Sequence, residues 1–559
     1  MVKKILSFVG KEISGLHEAA YLLALSSVAS LVFALIRDRL LAHVLGAGPA
    51  LDVYYAAFRI PDFIFVIVAS LVSTSILVPF LIESKTKGRE ELTSSITSLF
   101  SAFTLLIVIV CGIAAIFMEP IQKIIFPRLF EAGLGPQLVT ASRIMLFSPI
   151  LLGFASFFAS ITQIQNRFLV YALSAPLYNV GIIFGIIFLL PLWGVAGLAL
   201  GVLFGATLLC LTQIPIVIRD GLFPKIGTHF EWVKVKRVAK LSVPRTITLS
   251  SQQLSTLGLV SFASFLGAGS ISIFNLSFNL QSVPLAIIGV SYSSAAFPLL
   301  AKLIAEGKRE VYLERMIAAA KHIIFWSVPL SVLFIVLRAQ IVRTVLGTGE
   351  FSWSDTRLTA AALALFVISA VGQSLILLFV RSFYAEGKTA KPLLINVVSM
   401  VVTIALGFVL IKVFRTVPLF ANFTAALMRT MSSADSSVLM LPLAFTLGTF
   451  LNLFLHWRSF AKEFPGFTAP LMRTIFQVTS SAIIGGYVAY HSLKLFDDVF
   501  NINTSLGIFM QGLCAGIIGI IATIIILILL KNRELKDIKQ ALHEKVWRVD
   551  RASLDQIPS

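Results

Sequence analysis

Apolar segments that are almost free of charge, each about 20 residues long, recur along this chain from residue 17 to residue 531. A helix of that length crosses the hydrocarbon core of a bilayer, where every backbone N–H and C=O group must be bonded within the protein. Hydrophobic residues make up 57% of the 559 residues and charged residues 13%, whereas soluble domains have roughly 45–50% and 25%. We therefore predict an all-α polytopic membrane protein.

The spacing of these segments predicts the number of spans. We count about fourteen, each long enough to cross the bilayer once. Their centres lie near residues 30, 68, 106, 152, 180, 206, 254, 286, 326, 370, 402, 446, 482 and 518. The first segment follows a basic stretch, Met1–Glu12, but it is long and contains Arg37-Asp38-Arg39. We interpret it as a retained helix and not as a cleaved signal peptide.

Cations are concentrated in the connections on one side of the predicted membrane. These connections are 85–89, 219–240, 302–309 and 388–391. Connections on the opposite side, such as 47–51 and 192–193, carry none. The positive-inside rule therefore predicts that both termini are cytoplasmic. On this interpretation the net charge of +18 is a topology signal and does not indicate nucleic-acid binding.

No motif in the sequence indicates an enzyme, a metal site or a cofactor. The three cysteines lie inside apolar segments without CxxC spacing, which is typical of small buried hydrophobic residues. The seven histidines show no HExxH pattern. Gly197, Gly201 and Gly205 recur every fourth residue, and because no Lys-Ser/Thr pair follows them, they favour close helix packing over a phosphate-binding loop.

Short motifs recur in the same order after about 220 residues, which indicates an internal repeat. Leu45-Gly-Ala-Gly48 corresponds to Leu266-Gly-Ala-Gly269, and Gly88-Arg-Glu90 corresponds to Gly307-Lys-Arg-Glu310. An even number of helices between the copies predicts a parallel repeat of two six-helix bundles, an arrangement that commonly binds substrate between its halves. The predicted domains are an N-terminal six-helix lobe at 1–220, a C-terminal six-helix lobe at 221–465, two additional transmembrane helices at 466–531 and a cytoplasmic amphipathic tail at 532–559.

Charged side chains within the predicted spans are the first candidates for a functional site. Each costs roughly 2.5–3.5 kcal/mol to insert, so it usually faces a cavity or a partner. Arg37 and Asp38 lie in the first helix, and Asp52 and Arg59 lie in the second, near Pro61. The guanidinium groups suit phosphate or pyrophosphate. The alternative is that Arg37 to Arg39 lie near the outer membrane face and pair with Asp52 to hold the two helices together.

Uncharged polar side chains occupy the matching stretch of the second copy, before Pro284. Asn275, Asn279 and Gln281 would provide a hydrogen-bonding wall for a sugar. The alternative is bonding between helices, which contributes only about 0.6 kcal/mol per bond on average.

The chain resembles a known family at these same residues. The stretch Arg37–Gly48, followed by Asp52 and Ala57-Phe-Arg-Ile-Pro-Asp62, is similar to the opening signature of the MurJ (MviN-type) lipid II flippases, within the multidrug/oligosaccharidyl-lipid/polysaccharide exporter superfamily. Later stretches follow the family's order, namely Ser148-Pro149, Gln165–Phe168 with Ala175-Pro176 and Asn179, Gly194–Gly197, Gly349–Phe351 and Phe383–Ala385. The resemblance covers roughly residues 17 to 460.

This resemblance implies export of undecaprenyl-pyrophosphate-linked lipid II, the peptidoglycan precursor, across a bacterial plasma membrane by alternating access of the two lobes. Arg37 and Arg59 would bind the pyrophosphate, with Asp38 and Asp52 as pairing or gating partners. The thirteenth and fourteenth helices would form a groove for the polyprenyl tail among the membrane lipids. The resemblance implies no cofactor, and it leaves open whether a coupling cation or the membrane potential drives transport.

Three positions depart from the family pattern, which has basic residues where this chain has Leu31, Phe65 and Asn279. A less cationic cavity keeps other polyprenol-linked glycans open as cargo. A cation-coupled multidrug exporter of the same fold is a second hypothesis, although such exporters need only the two six-helix lobes. A third hypothesis, a non-transporting scaffold for envelope assembly, depends on the missing basic residues alone.

Overall fold

The computed structural model describes residues 16–71, 74–165, 167–225, 227, 231–430 and 435–540. Over these ranges the chain forms helices joined by short turns and contains no strand. The prediction of an all-α protein is confirmed. The stretch Met1–Glu12, which we interpreted as the basic start of a retained first helix, lies outside the described residues.

The helices of the first 220 residues include long apolar ones and short connecting ones. They are α1 (Leu16–Leu45), α2 (Pro49–Leu71), α3 (Thr74–Thr86), α4 (Arg89–Ile116), α5 (Met118–Ile125), α6 (Pro127–Glu131), α7 (Gly135–Met145), α8 (Phe147–Ile164), α9 (Phe168–Phe184), α10 (Leu190–Leu211) and α11 (Ile214–Arg219). A π-helical turn, Gly185–Leu189, joins α9 to α10.

The helices after residue 230 also include long apolar ones and short connecting ones. They are α12 (Trp232–Ala263), α13 (Ser270–Pro284), α14 (Ser291–Ala305), α15 (Arg309–Val336), α16 (Arg338–Val345), α17 (Trp353–Ala385), α18 (Ala390–Thr416), α19 (Pro418–Met428), α20 (Met440–Glu463), α21 (Ala469–Leu495), α22 (Ser505–Leu529) and α23 (533–540). A second π-helical turn, Leu285–Val290, follows Pro284, which has no N–H to donate to the preceding turn.

Within the described part of the chain, nine helical runs are long and apolar enough to cross a membrane. One of them, Ala172–Arg219, includes both of the segments predicted near residues 180 and 206. The segments predicted near residues 30, 68, 254 and 482 coincide with or adjoin α1, α2, α12 and α21, which are outside this set. The chain is therefore a multi-pass membrane protein, and the total of fourteen spans stays a prediction.

The chain divides into two compact units, of which the first comprises Met1–Leu276, Val345–Thr359 and Asn396–Ala444. One of its hydrophobic clusters includes residues of α2, α3, α4 and α8. The Phe100 ring lies 5.2 Å from that of Phe157 and 5.7 Å from that of Phe158, measured between centroids. Aromatic side chains from facing helices therefore form the core of this unit.

Close backbone packing joins α9 to α10 within the first unit. A Cβ atom on Gly181 would overlap the backbone of Gly205, and one on Gly185 would overlap the backbone of Gly201. The four-residue spacing brings each glycine of α10 to the same helix face. The packing role predicted for the α10 glycines is confirmed.

Hydroxyl groups on α4 fix the segment that leads into α12. The Ser98 Oγ accepts a hydrogen bond from the Glu231 N–H at 2.8 Å, and the Ser101 Oγ accepts one from the Gly227 N–H at 3.1 Å. The Ser101 Oγ in turn donates to the Lys225 carbonyl at 3.3 Å. These bonds satisfy main-chain groups of Lys225, Gly227 and Glu231, which lie between α11 and α12.

The second unit comprises Ser277–Thr344, Ala360–Ile395 and Phe445–Ser559. Its core brings Phe379 of α17 within 5.5 Å of Phe460 of α20, between ring centroids. Glycines again allow close approach: a Cβ atom on Gly485 of α21 would contact α22, and one on Gly486 would contact Val332 of α15. The two last apolar helices thus pack against each other and against α15.

A polar network holds the start of α23 against the second unit. The Glu534 carboxylate, which is 4% exposed, accepts a hydrogen bond from Thr474 Oγ1 at 2.9 Å and lies 3.3 Å from Lys321 Nζ. Burial alone would raise the pKa of Glu534, but hydrogen bonds from its own backbone N–H and from Thr474, with the charge of Lys321, lower it below the ordinary value.

The tail after residue 532 was predicted to form an amphipathic helix. The described part, α23, does so, because Leu535 and Ile538 pack against the hydrophobic core of the second unit. The rest of the predicted tail, residues 541–559, lies outside the described residues.

The contact between α9 and α10 predicts different changes in melting temperature when alanine replaces two different glycines. Gly181→Ala places a methyl group against the Gly205 backbone, so we expect a lower melting temperature, because overpacking costs roughly 1–3 kcal/mol. Gly112 of α4 has nothing within 4 Å of an added Cβ atom. Gly112→Ala should leave stability unchanged or raise it, because alanine exceeds glycine in helix propensity by about 1 kcal/mol.

Thermal unfolding of the detergent-solubilised protein, followed by size-exclusion fluorescence, measures both variants. Equal melting temperatures for the two alanine variants would contradict the proposed backbone contact.

Candidate functional site

Arg37, a charged side chain of α1, donates three hydrogen bonds. Its Nε and Nη2 donate to Asp38 Oδ1 at 2.9 and 2.8 Å, and its Nη1 donates to Asn179 Oδ1 at 3.0 Å. The side chain is 19% exposed and that of Asp38 is 3% exposed. The guanidinium is thus held in a fixed orientation by an adjacent carboxylate and by an amide from α9.

Asn179 is a residue that sequence reasoning did not place in the site. It lies on α9, and its Nδ2 donates to both the carbonyl and the hydroxyl of Ser30 on α1 at 3.4 Å. Its amide therefore bridges two parts of α1 and orients Arg37. The sequence carried a signal, since Asn179 follows Pro176 in one of the family-like stretches, but no spacing connects it to a residue 142 positions earlier.

Asp52, at the start of α2, is buried and is bonded to the beginning of α13. Its Oδ2 accepts from the Gly269 N–H at 2.6 Å, and its Oδ1 accepts from the N–H and the hydroxyl of Ser272 at 2.8 and 2.6 Å. The first N–H groups of a helix have no partner within it, and the helix dipole favours a negative charge there. Asp52 therefore caps α13 from another helix.

The glycines of the two repeated Leu-Gly-Ala-Gly motifs lie beside this cap. Gly46 and Gly269 have φ angles of 59° and 83°, in the left-handed region that favours glycine. A Cβ atom on Gly269 would overlap the Ala47 carbonyl. The Glu350 N–H also donates to the His43 carbonyl at 2.9 Å. The two copies of the motif thus contact each other through their backbones.

Arg59 lies about two turns further along α2 and reaches the same helix as Asp52. Its Nη2 donates to Asn275 Oδ1 of α13, and Asn275 Nδ2 donates to the Ile271 carbonyl at 2.7 Å. The Nε of Arg59 is buried and has no acceptor among the described residues. A buried donor without a partner is unfavourable by about 1–3 kcal/mol, so an acceptor at this position would be stabilised.

Further polar groups surround the two arginines. The Asp62 carboxylate interacts electrostatically with both Arg59 and Arg37. Tyr55, 8% exposed, interacts with Arg37, Asp38 and Arg59, and its hydroxyl has no partner among the described residues. Two guanidinium groups thus face two carboxylates, so this cluster is close to neutral. We call Arg37, Asp38, Tyr55, Arg59 and Asp62 the arginine cluster.

The other predicted wall residues lie in the second unit. Gln281 is fully buried, and its Oε1 accepts from Gln373 Nε2 at 3.2 Å. Gln373 Nε2 also donates to the Ser369 hydroxyl at 2.9 Å. Asn279 is half-buried, and its carbonyl accepts from the Ser282 hydroxyl at 2.6 Å. Of the predicted hydrogen-bonding set, Asn275 contacts a cluster arginine and Gln281 bonds to a neighbouring helix.

The Asp52 cap generates a double-mutant test. Asp52→Ala should lower the free energy of unfolding by about 0.5–2 kcal/mol, as loss of an N-cap does. Combined with Ser272→Ala it should show a coupling energy of about 0.5–3 kcal/mol, because the residues share one interaction. Asp498, which is exposed between α21 and α22, is the control for loss of an aspartate.

Unfolding by SDS in mixed micelles measures these free energies. Additive effects of Asp52→Ala and Ser272→Ala would show that the Ser272 hydroxyl is not coupled to Asp52. An unchanged free energy of unfolding in Asp52→Ala would show that the cap contributes nothing to the folded protein.

Comparisons with known proteins agree on one family. A family model described as "Lipid II flippase MurJ" matches residues 41–511. A Thermotoga maritima protein named "Probable lipid II flippase MurJ" is 28% identical over 437 residues, which cover 75% of this chain and 87% of that protein. The relative and the family model therefore point to the same family.

Solved structures share the fold. One described as "Lipid II flippase MurJ, inward closed conformation" has a TM-score of 0.71 at 22% identity, over 92% of this chain and 99% of that one. An inward-facing multidrug resistance MATE family transporter of the MOP superfamily has a TM-score of 0.62 at 15% identity, over 78% of this chain and 96% of that one. The chain therefore shares the fold of these two transporters.

Proposed function

We propose, because this chain belongs to the MurJ family of lipid II flippases, that it exports lipid II from the inner to the outer leaflet of a bacterial plasma membrane for peptidoglycan synthesis. The observation that carries the proposal is the arginine cluster, in which two mostly buried guanidinium groups lie within one polar region of an apolar membrane protein. Charged groups inside membrane helices usually mark a substrate pathway.

Arg59 is the better-placed group for the first contact with a pyrophosphate. Its Nε has no acceptor among the described residues, whereas three N–H donors of Arg37 already reach Asp38 and Asn179. A phosphate oxygen would satisfy the Arg59 donor directly. Arg37 would then exchange Asp38 for the second phosphate, because guanidinium groups bind phosphate oxygens in pairs.

Asp52 acts as the gating residue in this proposal. In the present conformation its carboxylate joins α2 to the first turn of α13, beside the contact between the two repeated motifs. If the repeats are lobes with the boundaries 1–220 and 221–465, alternating access requires that these contacts open on one side of the membrane. Asn275, Asn279 and Gln281 belong to the second repeat and would contact the glycan.

The two apolar helices beyond the second repeat would bind the polyprenyl chain. α21 and α22 pack closely at Gly485 and Gly519, and the outer face of α22 exposes Phe509, Leu513 and Ile517. Such a surface suits an isoprenoid chain as well as ordinary acyl chains. We further propose that a coupling cation or the membrane potential supplies the driving force.

The near-neutral arginine cluster favours one second candidate, a flippase for a glycan linked to a polyprenyl monophosphate. Two carboxylates already offset the two guanidinium groups, and Leu31, Phe65 and Asn279 stand where the family has basic residues. Because a monophosphate carries less charge than a pyrophosphate, it requires fewer cations. Transport of each lipid class into the outer leaflet of proteoliposomes distinguishes the two cargoes.

Loss of the cluster arginines should abolish transport without loss of the protein. Arg37→Ala and Arg59→Ala should each reduce the rate on the order of tenfold or more, because a hydrogen bond to a charged group contributes about 1.5–3 kcal/mol. Complementation of cells depleted of their own flippase, together with lipid II accessibility in the outer leaflet, measures the effect.

The control variant is Arg128→Ala, which removes an exposed arginine paired with Glu131 at 2.7 Å and should transport normally. Membrane-fraction levels confirm that each variant is inserted. Unchanged transport in both single variants and in the double variant would refute the role of the arginine cluster, and failure of the parent chain to complement would refute lipid II as cargo.

The proposed orientation, with both termini in the cytoplasm, has a direct test. Lys87 follows α3, is exposed and lies in a cation-rich connection, and Asn503 lies exposed between α21 and α22. In a chain whose native cysteines are replaced, a membrane-impermeant maleimide added to intact spheroplasts should label Asn503→Cys and spare Lys87→Cys. The reverse pattern would invert the topology.

A further inference from the structure

The short helix α19 carries an apolar side that no other part of the described structure covers. Leu419, Phe423 and Leu427 recur every fourth residue and are 80%, 62% and 58% exposed. Ala421 and Thr424, on the opposite side, are buried. The helix contains no charged residue from Pro418 to Met428, so its exposed side is formed largely by hydrocarbon.

The exposed side of α19 continues the surface by which α18 faces lipid. α18 ends at Thr416 and α19 begins at Pro418, so a single residue, Val417, separates a membrane-crossing helix from the short one. Phe408 and Val409 of α18 are 59% and 49% exposed, as expected of lipid-facing side chains. Val417, itself 42% exposed, connects this surface to Leu419.

The length of α19 excludes a further span. Its 11 residues extend about 16 Å at 1.5 Å each, whereas the hydrocarbon core is about 30 Å thick. Arg415, just before the helix, donates to the Phe265 carbonyl at 3.2 Å, and Arg357 donates to the carbonyl of its C-terminal residue Arg429 at 2.8 Å. Both ends of the helix are therefore held against the first unit.

We propose that α19 is an interfacial helix whose Leu419, Phe423 and Leu427 side chains insert among the lipid acyl chains at the membrane surface where α18 ends. An amphipathic helix of this kind lies along the membrane plane with its apolar side below the headgroups. The partner is the bilayer itself, because the apolar side is continuous with a lipid-facing helix and carries no charge for an ionic protein contact. This inference does not depend on the cargo.

Spin labels on the exposed side of α19 test the placement. In a chain whose three native cysteines are replaced by alanine, nitroxides at Phe423→Cys and Leu427→Cys are compared with labels at Phe408→Cys and Asn503→Cys in anionic phospholipid vesicles. Oxygen concentrates in hydrocarbon, whereas a nickel chelate stays in water. The ratio of relaxation by oxygen to relaxation by the chelate should therefore be several-fold higher for the two α19 labels than for the Asn503→Cys label.

Two outcomes would overturn the proposal. Nickel accessibility equal to that at Asn503→Cys places the face in water, and shielding from both reagents places it against a protein, either a second copy or another partner. A conservative variant provides an independent measurement: Phe423→Trp should add fluorescence that brominated acyl chains quench beyond the parent's own tryptophans. If the added signal is unquenched, α19 does not contact the acyl chains.

Discussion

Hydrocarbon cannot solvate a charge or a backbone N–H group, and the structure of this protein depends on that constraint. The backbone satisfies it by forming helices throughout the described residues. The charged side chains satisfy it locally, as Arg37 does with Asp38 and Asn179. Asp52 does so by binding the unpaired N–H groups at the start of α13. The same interactions that make the charges tolerable therefore connect helices distant in sequence.

Features with a short period could be predicted from the sequence. The apolar segments, the four-residue glycine spacing in α10 and the repeated Leu-Gly-Ala-Gly motif each depend on neighbouring residues or on self-similarity. The partners of the site residues depend instead on how each helix rotates about its axis. Asn179 contacts Arg37 across 142 positions, and no pattern within either helix specifies that contact.

Asp52 shows why residue types alone mislead. Among side chains, the natural partners of a buried aspartate are arginines, and Arg37 and Arg39 are near in sequence. The structure pairs Arg37 with Asp38, and the partners of Asp52 include two backbone N–H groups, which every helix start provides and no residue type reveals. The repeat could be recognised in the sequence. The contact between its two copies could not, because a backbone contact such as that between Ala47 and Gly269 does not depend on a particular side-chain type.

The charge balance of the arginine cluster constrains any transport cycle proposed for this chain. An anionic cargo that takes the two N–H donors that Arg37 now directs at Asp38 must displace this carboxylate, whose side chain is only 3% exposed. A buried carboxylate that loses its guanidinium partner loses a large electrostatic stabilisation. The displaced carboxylate must therefore gain a new hydrogen-bond donor, a cation or water as the cavity opens. Cargo binding in the proposed cycle is thereby linked to opening of the helices or to uptake of a positive charge, which is the physical requirement for coupling export to an ion gradient or a membrane potential.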